Sequence, residues 1–219
     1  MKILENKKIK AVIFDLDGTL IDSTSLWQDV DRRYLARFGI AFEENVSEEI
    51  KTMTFNESAR YFIERFNIPR SEDEIKSDWN EMVLEEYRDH VQCKEGVHRF
   101  LHALASHGIK MCVATSCNKE HAILALERLN ILNYFAFVRT CSEAGKNKEF
   151  PDLFLQCAEM MEIDPEACYI VEDLYMALKV ANDVGFHTIG VLDDLNKKER
   201  DKIVTLCNYH VSSFIEILE

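Results

Sequence analysis

The chain has 219 residues, a net charge of −13, 47% hydrophobic and 30% charged residues and only three prolines, a composition that excludes a disordered polypeptide and suits a soluble, helix-rich globular protein. The acidic balance argues against nucleic-acid binding, which uses basic patches, no apolar run approaches a membrane span, and Met1 to Lys10 lacks the apolar stretch of a signal peptide. The seven cysteines, at 93, 112, 117, 141, 157, 168 and 207, form no CxxC pair and read as reduced thiols of a cytoplasmic protein rather than a disulfide framework.

Ala11-Val12-Ile13-Phe14 reads as a short buried strand that runs into Asp15-Leu16-Asp17-Gly18-Thr19. Open α/β sheets place their chemistry at strand ends. A turn begun at Gly18 swings two carboxylates toward one pocket, where their mutual repulsion calls for a divalent cation, a shared proton or both. The alternative for the bare pair is a polar strand end with two solvated aspartates.

Residues 24 to 90 change character. Leu26, Trp27, Val30, Tyr34, Leu35 and Phe38 recur at helical spacing, with Asp22, Ser23 and Thr24 as N-cap candidates and Gly39 as a stop. Further amphipathic stretches carry Ala59, Phe62, Ile63 and Phe66, then Ile75, Trp79, Met82, Val83 and Tyr87. No strand-like alternation interrupts them, so an all-helical insert is expected.

From Gly96 helices and strands alternate. Helices are expected near 97–107, around Ile123 to Leu129, at 151–161 and near 175–184, with strands at 109–114, in the apolar run 135–138, at 168–171 and at 188–192. Such alternation predicts an α/β fold, a parallel sheet covered by helices on both faces.

Three of these junctions carry polar groups that complement Asp15. The strand ending at Ala114 delivers Thr115 and Ser116, whose hydroxyls and backbone N–H groups suit phosphate oxygens; an ordinary N-cap is the alternative. Lys148 precedes Pro151 and Asp152 at a helix start, where a cation would offset a phosphoryl group; a solvated lysine is the alternative, and Lys146 is the runner-up. The strand at 168–171 ends in Glu172-Asp173, oxygen ligands for a metal or an acidic helix start.

FDLDGTL resembles the first motif of the haloacid dehalogenase superfamily, and Thr115-Ser116, KEFPDLF and Glu172-Asp173 resemble its later motifs in the same order. The resemblance spans essentially the whole chain. It implies a Rossmann-like core formed by residues 1–22 and 95–219, with a helical cap at 23–94 similar to that of the β-phosphoglucomutase-like phosphatases. Carried onto this sequence, it implies Asp15 as nucleophile and Asp17 as general acid/base, with Thr19 orienting the acid/base. Thr115, Ser116 and Lys148 would bind phosphate, while Asp15, the Asp17 carbonyl and Asp173 would coordinate Mg²⁺, with Glu172 in or beside that shell. The expected partner is a small phosphorylated metabolite; a monomer is expected, with a dimer as the alternative.

Some positions depart from the resemblance. Leu174 stands where a serine is common, Ala177 where a glycine is common, Glu149 and Glu95 where prolines are frequent. The main rival is a phosphosugar mutase: Lys51 to Ser58 resembles the mutase cap loop, yet Phe55 falls where mutases carry a phosphate-gripping arginine and Trp27 where they carry a histidine. Both aromatics are candidate specificity residues. A non-catalytic binding protein on the same fold is the second rival. His98 and His102, one helical turn apart, read as an exposed helix face rather than a zinc site, and Cys117 as a bystander.

Overall fold

The computed structural model describes residues 8–23, 25–43, 45–50, 53, 55–193 and 196–218. The chain divides into two compact units, one holding the residues up to Ser23 and from Val91 onward, the other Thr24–His90.

The first unit is built on a six-stranded sheet with β1 at Ala11–Phe14, β2 at Lys110–Thr115, β3 at Val138–Thr140, β4 at Cys168–Glu172, β5 at His187–Val191 and β6 at Tyr209–Val211. The order is β3-β2-β1-β4-β5-β6 and every pairing is parallel. Chain progression therefore reverses between β1 and β4, and the crevice outside their carboxyl ends is where such sheets bind ligands. All four residues of β1 and all five of β4 are buried, as expected for parallel strands covered on both sides.

Alternate side chains of β1 point to opposite faces. Ala11 and Ile13 pack with Leu153 and Phe154 of one helix, Asp152–Met161, and with Ala177 and Ala181 of another, Tyr175–Asp183. On the other face the Phe14 ring meets Phe100 edge-on at 6.0 Å and Phe135 at 5.9 Å, and Phe100 lies 5.2 Å from Phe214. The strand expected at 135–138 lies later, at Val138–Thr140: Phe135 packs its ring on Phe14, Ala136 and Phe137 already bond to β2, and β6 had no apolar run to announce it.

In the second unit, α1 (Leu26–Ala36), α2 (Asn45–Ile50), α3 (Phe55–Phe66) and α4 (Glu72–Glu85) are followed by a π-helical turn, Glu86–His90. Ser71 caps α4, accepting from the Glu74 N–H while the Glu74 side chain accepts from the Ser71 N–H, which satisfies two backbone donors reciprocally. The core is aromatic. Phe62 and Trp79 meet at 4.9 Å, Tyr34 and Trp79 at 5.8 Å, and Tyr34 and Phe62 at 6.4 Å, all three residues being buried.

The remaining helices belong to the first unit: α5 (Val97–Ser106), α6 (Lys119–Arg128), α7 (Cys141–Ala144), α8 (Asp152–Met161), α9 (Tyr175–Asp183), α10 (Arg200–Leu206) and α11 (Phe214–Leu218). Among the described residues no helix is long and apolar enough to cross a membrane.

Phe62→Ala removes the ring that makes two of these three contacts and is expected to destabilise the helical unit by about 3–5 kcal/mol. The two tryptophans of the chain, Trp27 and Trp79, both lie in that unit, so urea unfolding followed by tryptophan fluorescence reads the change directly.

Candidate active site

The carboxyl ends of β1 and β4 bring the acidic residues together by register alone. Phe14 pairs with Val171 and the Asp15 N–H donates to the Val171 carbonyl at 2.9 Å, so Asp15 and Glu172 leave adjacent strands side by side. Lys148 enters from the loop before α8 and its ammonium donates to Asp15 Oδ1 and, at 2.7 Å, to Glu172 Oε2. All three are buried, as is Asp173.

The remaining oxygen of Glu172 is also engaged: Oε1 accepts the N–H groups of Asp173 at 3.0 Å and Leu174 at 3.1 Å. Glu172 thus ties the lysine to its own loop. Asp173 is approached from the first loop, where Thr19 Oγ1 donates to its Oδ1 at 3.4 Å. A Cβ on Gly18 would stand 2.7 Å from Asp173 Oδ2, and Gly18 holds φ at +79°; both the close approach and the left-handed backbone require glycine.

Asp17 is partly buried, and its Oδ1 accepts from Ser23 Oγ at 2.8 Å. This corrects the expected cap of α1. The N-cap position of α1 is Ser25, because the Ser23 hydroxyl is committed to Asp17, while Thr24 lies outside the described residues. Thr19, which the resemblance assigns to orienting Asp17, donates through Oγ1 to Asp173. Ser23 is the last residue of the first segment of the first unit.

Burial raises Asp15 to about 8, with Glu172 adding to the rise and Lys148 opposing it. Asp173 is likewise pushed well above the ordinary carboxylate range by burial and by Glu172. For Lys148, burial works against the ammonium, but Asp15 and Glu172 outweigh it and hold its pKa above that of a free lysine. One ammonium faces three carboxylates whose oxygens lie within 4.8 Å of one another. Such a set of hard oxygen donors with excess negative charge fits a divalent ion of the Mg²⁺ kind.

Thr115, the last residue of β2, is buried at the same sheet edge, and its Oγ1 accepts from the Cys117 N–H at 2.9 Å, which leaves the hydroxyl proton for another acceptor. Ser116 is exposed, with Oγ 3.3 Å from Cys141 Sγ. Lys146 is exposed too, its ammonium 5.0 Å above the Phe150 ring. Trp27, 49% exposed, belongs to the helical unit, as does Phe55, which opens α3 and whose side chain lies outside the described part.

The family described as haloacid dehalogenase-like hydrolase matches residues 12–191. The chain belongs to that family. Among curated relatives, the bifunctional riboflavin kinase/FMN phosphatase of Arabidopsis thaliana is 28% identical over 84% of this chain, which spans only about half of that protein, 49%. The phosphorylated carbohydrates phosphatase of Thermotoga maritima is 27% identical over 86% of this chain and 88% of its own length. Among solved structures, a candidate β-phosphoglucomutase from Thermotoga maritima superposes with a TM-score of 0.85 at 25% identity, covering 96% of this chain and 98% of its own. The Rossmann-like sheet is thus the hydrolase core of this family.

Two outcomes follow from the buried charges. Lys148→Ala leaves the carboxylates without a counter-charge and should cost about 3–5 kcal/mol in urea unfolding, whereas Lys146→Ala should stay within about 0.5 kcal/mol. A carboxyl raised from 3.8 to about 8 on folding holds its proton more tightly when folded, so its contribution to stability is present below pH 4 and is lost as pH rises toward 8. A divalent cation held by these oxygens must displace that proton, so adding MgCl₂ to about 5 mM should raise Tm more at pH 8 than at pH 6.

Proposed function

We propose that the protein is a Mg²⁺-dependent phosphomonoester hydrolase acting on a small phosphorylated metabolite through an aspartyl-phosphate on Asp15. The observation that carries this reading is the buried Asp15, held at the switch point of the sheet against Lys148 and beside Glu172 and Asp173. The phosphatases among its relatives support it.

In this reading an Asp15 carboxylate oxygen attacks phosphorus and the ester P–O bond breaks. Asp17, held by Ser23, gives its proton to the departing oxygen. The Asp17 carboxylate then takes a proton from water, which attacks the phosphorus of the aspartyl-phosphate, releasing inorganic phosphate and restoring Asp15. Lys148, the Thr115 hydroxyl and the Ser116 loop bind the phosphoryl oxygens. Asp15, the Asp17 carbonyl and Asp173 would hold Mg²⁺, which supplies the positive charge that lets a carboxylate approach a phosphate dianion. Glu172, with both oxygens engaged, anchors Lys148.

Hydrolysis is favoured over a mutase reaction because Trp27 and Phe55 offer no cation to retain a second phosphate through the turnover of a bisphosphate, and an ion pair is worth most where water is excluded. We assign both aromatics to substrate selectivity. The seven free cysteines support a reducing, cytoplasmic setting, the acidic charge argues against nucleic-acid partners, and a monomer is the simplest assembly.

Hydrolysis of an aryl phosphate by the purified protein should require Mg²⁺ and disappear in Asp15→Asn, because an amide is a poor nucleophile. Full activity in excess chelator, or in that variant, defeats the mechanism. Asp17→Asn should lower steady-state turnover about 10² to 10⁴-fold, and retention of more than about a tenth of the rate removes Asp17 from the acid/base role.

A further inference from the structure

The loop after β5 holds a buried amide with every bond directed at backbone. Asn196 Nδ2 donates to the Asp173 carbonyl at 3.0 Å and to the Val191 carbonyl at 2.8 Å, and its Oδ1 accepts the Asp193 N–H at 3.0 Å. The residue is 7% exposed. Only a carboxamide does this: aspartate has no donor, and serine has one hydrogen for two carbonyls. Asp193 in turn pairs through its Oδ2 with Lys94, whose backbone N–H donates to the Leu20 carbonyl at 3.0 Å, so the loop is anchored back to the segment that follows Asp17.

These bonds fasten the acidic residue that follows β4, which strand register does not fix. Asp15 is held by the β1–β4 ladder and Glu172 is the last residue of β4. Asp173 lies one residue past the strand. From the first loop it receives Thr19 and the close approach of Gly18; from the other side it receives Asn196.

We propose that Asn196 is a positioning residue for Asp173, fixing that residue's carbonyl to the end of β5 so that its carboxylate is already aimed when a divalent cation arrives. The inference rests on the phosphatase reading above, in which Asp173 is a ligand. Residues that orient a ligand without touching the metal set its affinity, and their loss typically costs about 10 to 100-fold in binding.

The test is isothermal titration of the full-length, chelator-treated protein with MgCl₂, alongside the Mg²⁺ dependence of turnover. Asn196→Ala should raise the Mg²⁺ Kd by about tenfold or more, with the larger share of the lost turnover recovered at saturating Mg²⁺. Asn196→Asp is close to isosteric and keeps the acceptor for the Asp193 N–H while losing both donors, so it serves if the alanine variant fails to fold. Its added negative charge would by itself tighten cation binding; weaker binding in this variant therefore supports the clamp, and equal or tighter binding overturns it. A lower Tm with an unchanged Mg²⁺ Kd also overturns it, reducing Asn196 to a structural residue. If wild type binds no Mg²⁺, the phosphatase reading fails with it; if wild type binds and both variants match it, only the positioning role is lost.

Discussion

Lys148 stands between Asp15 and Glu172 in a place closed to water, and the rest of the core is arranged around that charge. Removing a charged group from water costs several kcal/mol, while an opposite charge about 4 Å away returns about 4 kcal/mol at the effective dielectric of a protein site. One lysine therefore stabilises about one carboxylate. A second and a third are left in deficit, which is why burial and mutual repulsion raise Asp15 and Asp173. The fold carries that deficit because its other interactions are ordinary and numerous. A cation restores the balance, so the site is a cation receptor by electrostatics as well as by donor type.

Precision comes from the sheet. In a parallel ladder the ends of neighbouring strands are level, and Asp15, Glu172 and Thr115 need no loop to bring them to one edge. Loops supply the finer adjustment. Gly18 lets the first loop press against Asp173, Thr19 and Ser23 direct hydroxyls at Asp173 and Asp17 respectively, and the Glu172 carboxylate gathers the N–H groups of its own turn. Ser23 also closes the first segment of that unit, beside the backbone pairing of Asp22 with Gln92 at 2.8 Å, so the orientation of Asp17 is tied to the segment where the chain leaves the core.

The acidic groups were legible in the sequence because Asp15, Glu172 and Asp173 sit where apolar runs stop, and a strand end is a local property. Lys148 was legible only by its place just ahead of a helix start. What was illegible depends on pairs far apart in the chain or on loop shape. Ser23 looked like a helix cap, since a hydroxyl ahead of an amphipathic run normally is one, and only the fold of the Asp17 turn redirects it. Asn196 carries no periodicity and no motif; its meaning lies in two carbonyls, one of them 23 residues away. The displaced third strand has the same origin. Phe135 meets Phe14, and Ala136 and Phe137 already exchange backbone bonds with β2, so the apolar run announces the pairing a few residues before the strand proper.

The departures from the family pattern fall where backbone rather than side chain does the work. Leu174 replaces a common serine, yet what the site takes from this position is its N–H, donated to Glu172, while its side chain is 52% exposed. Ala177 replaces a common glycine and is buried among the residues packed on β1, where one methyl group adds apolar contact on the first turn of α9, and alanine favours a helix interior by about 1 kcal/mol over glycine. Glu149 donates its N–H to Asn147 at 3.1 Å, a turn bond that proline could not make, so the loop carrying Lys148 is shaped by an asparagine side chain instead of a fixed ring. Sequence drift is tolerated at these positions because the electrostatic centre asks for backbone geometry there, and for particular side chains only at the residues that carry charge or hold it in place.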